Sequence, residues 1–221
     1  MIIYVDGSIG VGKTTLLKSL ESAKFDLPHI VVQEPVGEWL DFRVDSQKES
    51  LFELFYNDKT KYGFMFQMMA LQSRISNLIK IQSENVGKVL ICERSFMTDY
   101  QIFAKGMHAD GHISDMEMAV YLKWYNYCIE HVKPRVDGII YLRALPETCL
   151  GRINQRARAG EDVIDLEYLT KLHVAHEDWL LKRDDVFVAD AANQLDMATI
   201  VSFIQGRIAA LASPNPRMSI I

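Results

Sequence analysis

Five short runs of apolar and β-branched residues punctuate the chain, at positions 2–5, 30–32, 89–92, 139–142 and 186–189. Each is too short for a helix and too continuously apolar for a strand with one wet face, so each predicts a strand buried on both sides. Between them apolar positions recur every three or four residues over 13–22, 62–83, 114–131, 146–156, 166–182 and 197–211. That spacing predicts helices with one core-facing stripe. Strand alternating with helix predicts an α/β fold, a five-stranded parallel sheet flanked by helices.

No repeat, low-complexity tract or Gly/Ser linker interrupts this order, so residues 1–221 read as a single domain. The tail at 213–221, with Ser213-Pro214-Asn215-Pro216, breaks the pattern and is the segment expected to be disordered. A chain of 221 residues that is 49% hydrophobic can bury a sizeable core. Its net charge of −5 argues against a nucleic-acid polymer as partner, so an anionic ligand must be held by local groups. No apolar run reaches the roughly 18 residues of a membrane span, and the stretch before Asp6 is too short for a targeting segment. Cys92, Cys128 and Cys149 form no CxxC pair, which fits a reducing compartment such as the cytoplasm. The six histidines show no metal-ligand spacing, and His173 and His176 read as packing or surface residues.

One segment changes the picture from fold to chemistry. Gly7-Ser8-Ile9-Gly10-Val11-Gly12-Lys13-Thr14 matches G-x-x-x-x-G-K-[ST] and lies between the first strand and the first helix. Gly7, Gly10 and Gly12 let backbone N–H groups turn inward around an anion, the helix N-terminus adds partial positive charge, and Lys13 supplies a mobile cation. Thr14 would present its hydroxyl to magnesium, while Thr15 and Asn193 complete the donor-binding candidates. Such a loop binds phosphate but leaves switch, motor and kinase open.

The acceptor side is more informative. The second strand runs into Gln33-Glu34-Pro35-Val36 and the third into Cys92-Glu93-Arg94-Ser95, which brings both carboxylates to the ligand-binding edge of a parallel sheet. Arg152, Arg156 and Arg158 follow the fourth strand. They suit a lid closing on a transferring phosphate, or a solvated helix paired with Glu147 and Glu161. Gln67 and Arg74 sit among apolar neighbours on one helix and require partners.

Through Glu34-Pro35-Val36, Trp39, Gln67, Glu93-Arg94-Ser95, the arginine cluster and Leu166-Glu167-Tyr168-Leu169, the chain resembles the deoxynucleoside kinase family from residue 1 to about residue 190. The resemblance implies a P-loop kinase fold with an Arg-rich lid, in which an ATP-like triphosphate with Mg2+ phosphorylates a deoxynucleoside 5′-hydroxyl. It implies that Glu34 accepts the hydroxyl proton, that Arg94 holds Glu34, and that Glu93 joins Thr14 at the metal. Gln67 would pair with the base, Trp39 and Phe103 would pack around it, and Tyr56 and Glu161 would bind the sugar 3′-hydroxyl. Arg74 and Asp99 match the charged pair of the deoxycytidine and deoxyguanosine kinases, which favours a purine or cytosine base, although a purely structural ion pair gives the same letters. A homodimer is implied as well.

Two positions depart from the family pattern. Gly160 stands where a second lid glutamate is usual, and Asp190-Ala191-Ala192-Asn193-Gln194 lacks the acidic-aromatic sequence around the donor base. A thymidine-preferring enzyme, a thymidylate-type monophosphate kinase and a nucleotide switch remain the alternatives.

Overall fold

The computed structural model describes residues 1–45, 48–158 and 161–212. Each predicted strand is present: β1 (Ile2–Asp6), β2 (His29–Val32), β3 (Val89–Glu93), β4 (Gly138–Arg143) and β5 (Val186–Asp190). They form one parallel sheet in the order β2-β3-β1-β4-β5. Side chains of a strand alternate between faces, and β1 is buried along its whole length. Ile2 and Tyr4 enter the core on one side of the sheet, Ile3 and Val5 the core on the other. Leu90 and Cys92 against Val89 and Ile91 repeat the division in β3.

The helices are α1 (Lys13–Glu21), α2 (Val36–Asp41), α3 (Leu51–Asn57), α4 (Lys59–Glu84), α5 (Phe96–Thr98), α6 (Lys105–Ala109), α7 (Asp115–Val132), α8 (Pro146–Arg156), α9 (Leu166–Leu180) and α10 (Met197–Ala212), with a π-helical segment, Asp99–Ala104, between α5 and α6. Helices α2 to α7 supply the first core, and α1, α8, α10 and much of α9 supply the second. None of the described helices is long and apolar enough to cross a membrane.

Four stretches depart from the expected pattern, the first being the short helix α2, which the helical spacing did not include. The helix expected at 62–83 begins at Lys59, because the Asp58 carboxylate caps it by accepting from Lys61 N at 3.0 Å. The short helix α3 was not anticipated, although Ser50 and Glu53 form a reciprocal capping box in front of buried Phe52 and Phe55. The 96–109 stretch was also missed, since a π-helical segment widens the turn and shifts the phase of any three-and-four pattern. The expectation for 213–221 lies outside the described residues.

Candidate active site

The phosphate-type loop leaves β1 at Gly7 and enters α1 at Lys13. Gly7 has φ of 139° and Gly10 of 77°, and a Cβ on either would come within 2.5 Å of a carbonyl oxygen, that of Leu142 or of Cys149. Only glycine fits those two positions. Lys13 is buried, and its ammonium donates to Gly7 O at 3.1 Å and Ser8 O at 2.9 Å. Burial and repulsion from Arg94 pull Lys13 down to about 8, against the attraction of Glu93, Glu34 and Asp6. An anion in the loop would restore the charged form. The buried Ser8 hydroxyl has no hydrogen-bond partner among the described residues, so the loop retains capacity for a polar guest.

Glu34 stands beyond the end of β2, and Arg94 follows β3 with φ of 58°, a left-handed backbone that turns its side chain back over the sheet edge. Arg94 Nη1 donates to Glu34 Oε2 at 2.7 Å, and its Nη2 reaches Gly7 O at 3.5 Å. Arg74 of α4 donates to Glu34 Oε1 at 2.8 Å and, in a forked pair, to Asp99 at 2.8 and 3.0 Å. Burial pushes Glu34 up, but Arg94, Arg74 and Lys13 together outweigh it and hold the carboxyl at about 2. Asp99 is raised by its own burial against the pull of Arg74. Across the loop, the Thr14 hydroxyl lies 3.2 Å from a Glu93 carboxylate oxygen. That pair of hard oxygens fits a Mg2+ ion that keeps waters and takes phosphate oxygens. Among the described residues no three His, Cys, Asp or Glu form a metal cage.

A cavity of about 230 Å³ opens between these groups. Of the residues expected to meet the acceptor, Trp39, Tyr56, Gln67, Arg74, Asp99, Phe103 and Glu161 all line it, together with Glu34, Glu93, Arg94, Lys13 and Thr14. Gln67 is buried, and its Oε1 has no partner among the described residues. Trp39 lies buried at the wall, its indole N–H donating to Ser73 at 3.0 Å and its ring facing Phe66 edge-on. Phe103 sits 5.1 Å from the Arg94 guanidinium.

Sequence reasoning grouped the three arginines, and the structure separates them. Arg156 and Arg158 line the cavity and pair with the buried Glu161 at 2.5 and 3.2 Å. Arg152 instead donates to Val11 O at 2.9 Å and Ala191 O at 2.8 Å, which ties the phosphate loop to the segment after β5. Thr15 and Asn193 are exposed and stand away from the cavity. Gly160 lies outside the described residues. Tyr168 was missed as a site residue, yet it lines the cavity. Its signal was hidden: Tyr168 stands four residues before Leu172 and so continues the buried row Leu172, His176 and Leu180 of α9, where an aromatic residue reads as core.

Comparison with known proteins agrees with this geometry. A family model for deoxynucleoside kinases matches residues 3–205. The mitochondrial deoxyguanosine kinase of Xenopus laevis is 36% identical over 196 residues, covering 82% of this chain and 73% of the relative. Deoxycytidine kinase 2 of Gallus gallus is 32% identical over 198 residues, with 82% and 74% covered. The human mitochondrial thymidine kinase 2 is 33% identical over 181 residues, with 82% and 64% covered. Because the match extends from β1 into α10 and so takes in both the phosphate-type loop and the opposing carboxylate, the chain belongs to the deoxynucleoside kinase family.

Proposed function

We propose that the enzyme transfers the γ-phosphoryl group of ATP to the 5′-hydroxyl of a deoxynucleoside carrying cytosine or a purine. The observation that carries this reading is Arg94, one guanidinium that bonds the acceptor-side carboxylate Glu34 and reaches the first carbonyl of the donor loop. Glu34 orients the hydroxyl and takes its proton as the new O5′–P bond forms and the bond from Pγ to the β-phosphate oxygen breaks. Little covalent work falls to the protein in a loose transition state, so positioning and charge dominate. Lys13, Arg94, Arg156 and Arg158 surround the space where negative charge develops. Thr14 and Glu93 are the residues to hold Mg2+, which would neutralise charge on the donor oxygens.

The base assignment rests on Gln67, Arg74 and Asp99. Gln67 Oε1 is an acceptor without a donor, and Asp99 adds acceptor oxygens at the same wall. Cytosine and adenine present an exocyclic amine to such acceptors and guanine its N1–H and 2-amino group, whereas O4 of thymine would meet lone pairs. The test is turnover of the four deoxynucleosides with labelled ATP. Deoxycytidine or a purine deoxynucleoside is expected to exceed thymidine in kcat/KM. Thymidine as the best acceptor overturns the base assignment, and turnover of deoxynucleoside monophosphates alone overturns the acceptor class.

A second copy of this chain fits the exposed row of α7. Met116, Val120, Trp124 and Tyr127 recur at helical spacing with 75%, 40%, 54% and 52% of their surface exposed, an apolar stripe larger than isolated surface residues explain. Sedimentation is expected to give twice the 25.3 kDa chain mass, and a stable particle of single-chain mass would overturn the dimer.

A further inference from the structure

The fold buries one carboxylate and one imidazole that the reaction above does not use. Asp6, the last residue of β1, and His176, in the second half of α9, are both 0% exposed. Asp6 Oδ1 accepts from Gly7 N at 2.9 Å, and Oδ2 accepts from the Thr98 hydroxyl. Thr98 completes the capping box opened by Ser95, directly after Arg94. One carboxylate therefore ties the first residue of the phosphate loop to the segment that aims Arg94. Both of its oxygens act as acceptors, as an ionised carboxylate must.

The proton count on His176 follows from its partners. Nδ1 lies 2.6 Å from Leu172 O, and a carbonyl only accepts, so Nδ1 carries a hydrogen. Nε2 points toward Asp6 Oδ1 at 3.5 Å and has no hydrogen-bond partner among the described residues. In a neutral ring the Nε2 lone pair would face a carboxylate lone pair inside a dry core, which is repulsive. A second proton turns that contact into attraction. Tyr141 lies parallel to the imidazole, 1° between planes and 5.9 Å between centroids, and limits ring rotation. Burial pushes Asp6 up, yet His176, Thr98 and Arg94 outweigh it and keep the carboxyl below its ordinary range.

We infer that His176 is a buried imidazolium that fixes Asp6 and, through it, the Gly7 amide and the segment after Arg94, which makes it a positioning residue for the phosphate donor. This inference rests on the assignment of residues 7–14 as the donor site. Helix α9 also carries Tyr168 eight residues earlier, about 12 Å along the axis. The helix that lines the acceptor cavity therefore also braces the donor loop.

Nitrogen NMR of the wild-type enzyme labelled at histidine tests the charge, with His176 assigned by its contacts to Tyr141. Both ring nitrogens are expected to carry hydrogens in the folded enzyme at neutral pH. An unprotonated Nε2 overturns the inference. Kinetics test the positioning. Asp6→Asn keeps an acceptor for Gly7 but removes the charge, so KM for ATP is expected to rise about tenfold, the scale of one charge-assisted hydrogen bond, while KM for the deoxynucleoside stays within about twofold. Equal changes in the two KM values, or none in either, overturn it. Absence of ATP turnover in the wild-type enzyme would instead sink the donor assignment, and the ring spectrum would remain readable.

Discussion

Glu34→Gln is expected to lower kcat by about three orders of magnitude while leaving KM for the triphosphate within about twofold. The amide copies the shape of the carboxylate but not its lone pairs. Glu34 accepts from Arg74 on one oxygen and Arg94 on the other, so in the variant an NH2 group must face one of the two guanidiniums. The acceptor hydroxyl then loses both its anionic partner and a fixed orientation. Retention of wild-type turnover would remove Glu34 from the reaction.

The pH dependence sharpens the role. With a pKa near 2 in the folded enzyme against an ordinary 4.5, Glu34 is a weak base that is already ionised throughout the working range. For the proposed role a base that weak suffices, because the hydroxyl proton leaves late in a loose transition state. Its kcat/KM profile should therefore show no acid limb from Glu34 between about pH 4 and pH 8. The sign for stability agrees. The depressed carboxyl contributes fully above its unfolded value, and that contribution is lost as pH falls from there through about 2.

Arg74→Met alone is expected to destabilise the enzyme by about 3–5 kcal/mol, because Asp99 would be left buried and unpaired. Adding Asp99→Ala removes the stranded charge, so the double variant should melt above the single one and show strong coupling in a double-mutant cycle. Its acceptor preference should move toward thymidine by about tenfold, since an apolar wall no longer repels O4 of the base. Its kcat should fall for every acceptor, because Arg74 is also one of the two clamps on Glu34. Coupled stability with an unchanged acceptor ratio would make the pair structural only.

Strand positions were legible because the sheet is covered on both faces, so β-branched runs such as Val89 to Cys92 had no polar alternation to blur them. The phosphate-type loop was legible because its function lies in backbone conformation, and glycine is the residue that backbone conformation selects. The acceptor site was less so. Arg94 and Glu34 are 60 residues apart, and only the strand order β2-β3-β1 brings them together. Arg152 kept company with Arg156 by helical spacing, but spacing does not reveal that Val11 and Ala191 offer carbonyls to one and Glu161 a carboxylate to the other. His176 looked like a packing residue because a helical stripe shows burial and says nothing of the carboxylate at the end of β1.

Glu34 and the donor loop extend from strands two places apart in one sheet, with the strand of Arg94 between them. Backbone pairing sets that separation at about 10 Å, two strand spacings, and no side chain can alter it. The residues proposed to read the base stand elsewhere, on α4 and the π-helical segment, which meet the sheet through side chains, Arg74 reaching Glu93 O at 3.3 Å and Glu34 at 2.8 Å. On that reading, substitutions in those helices that leave Arg74 in place can retune which nucleobase is accepted without recalibrating the reach of phosphoryl transfer, whereas a change at Arg74 touches both. Substrate choice and catalytic geometry are thus separable traits everywhere but at Arg74, and a lineage built on this sheet can diversify the first around that residue while the second stays in place.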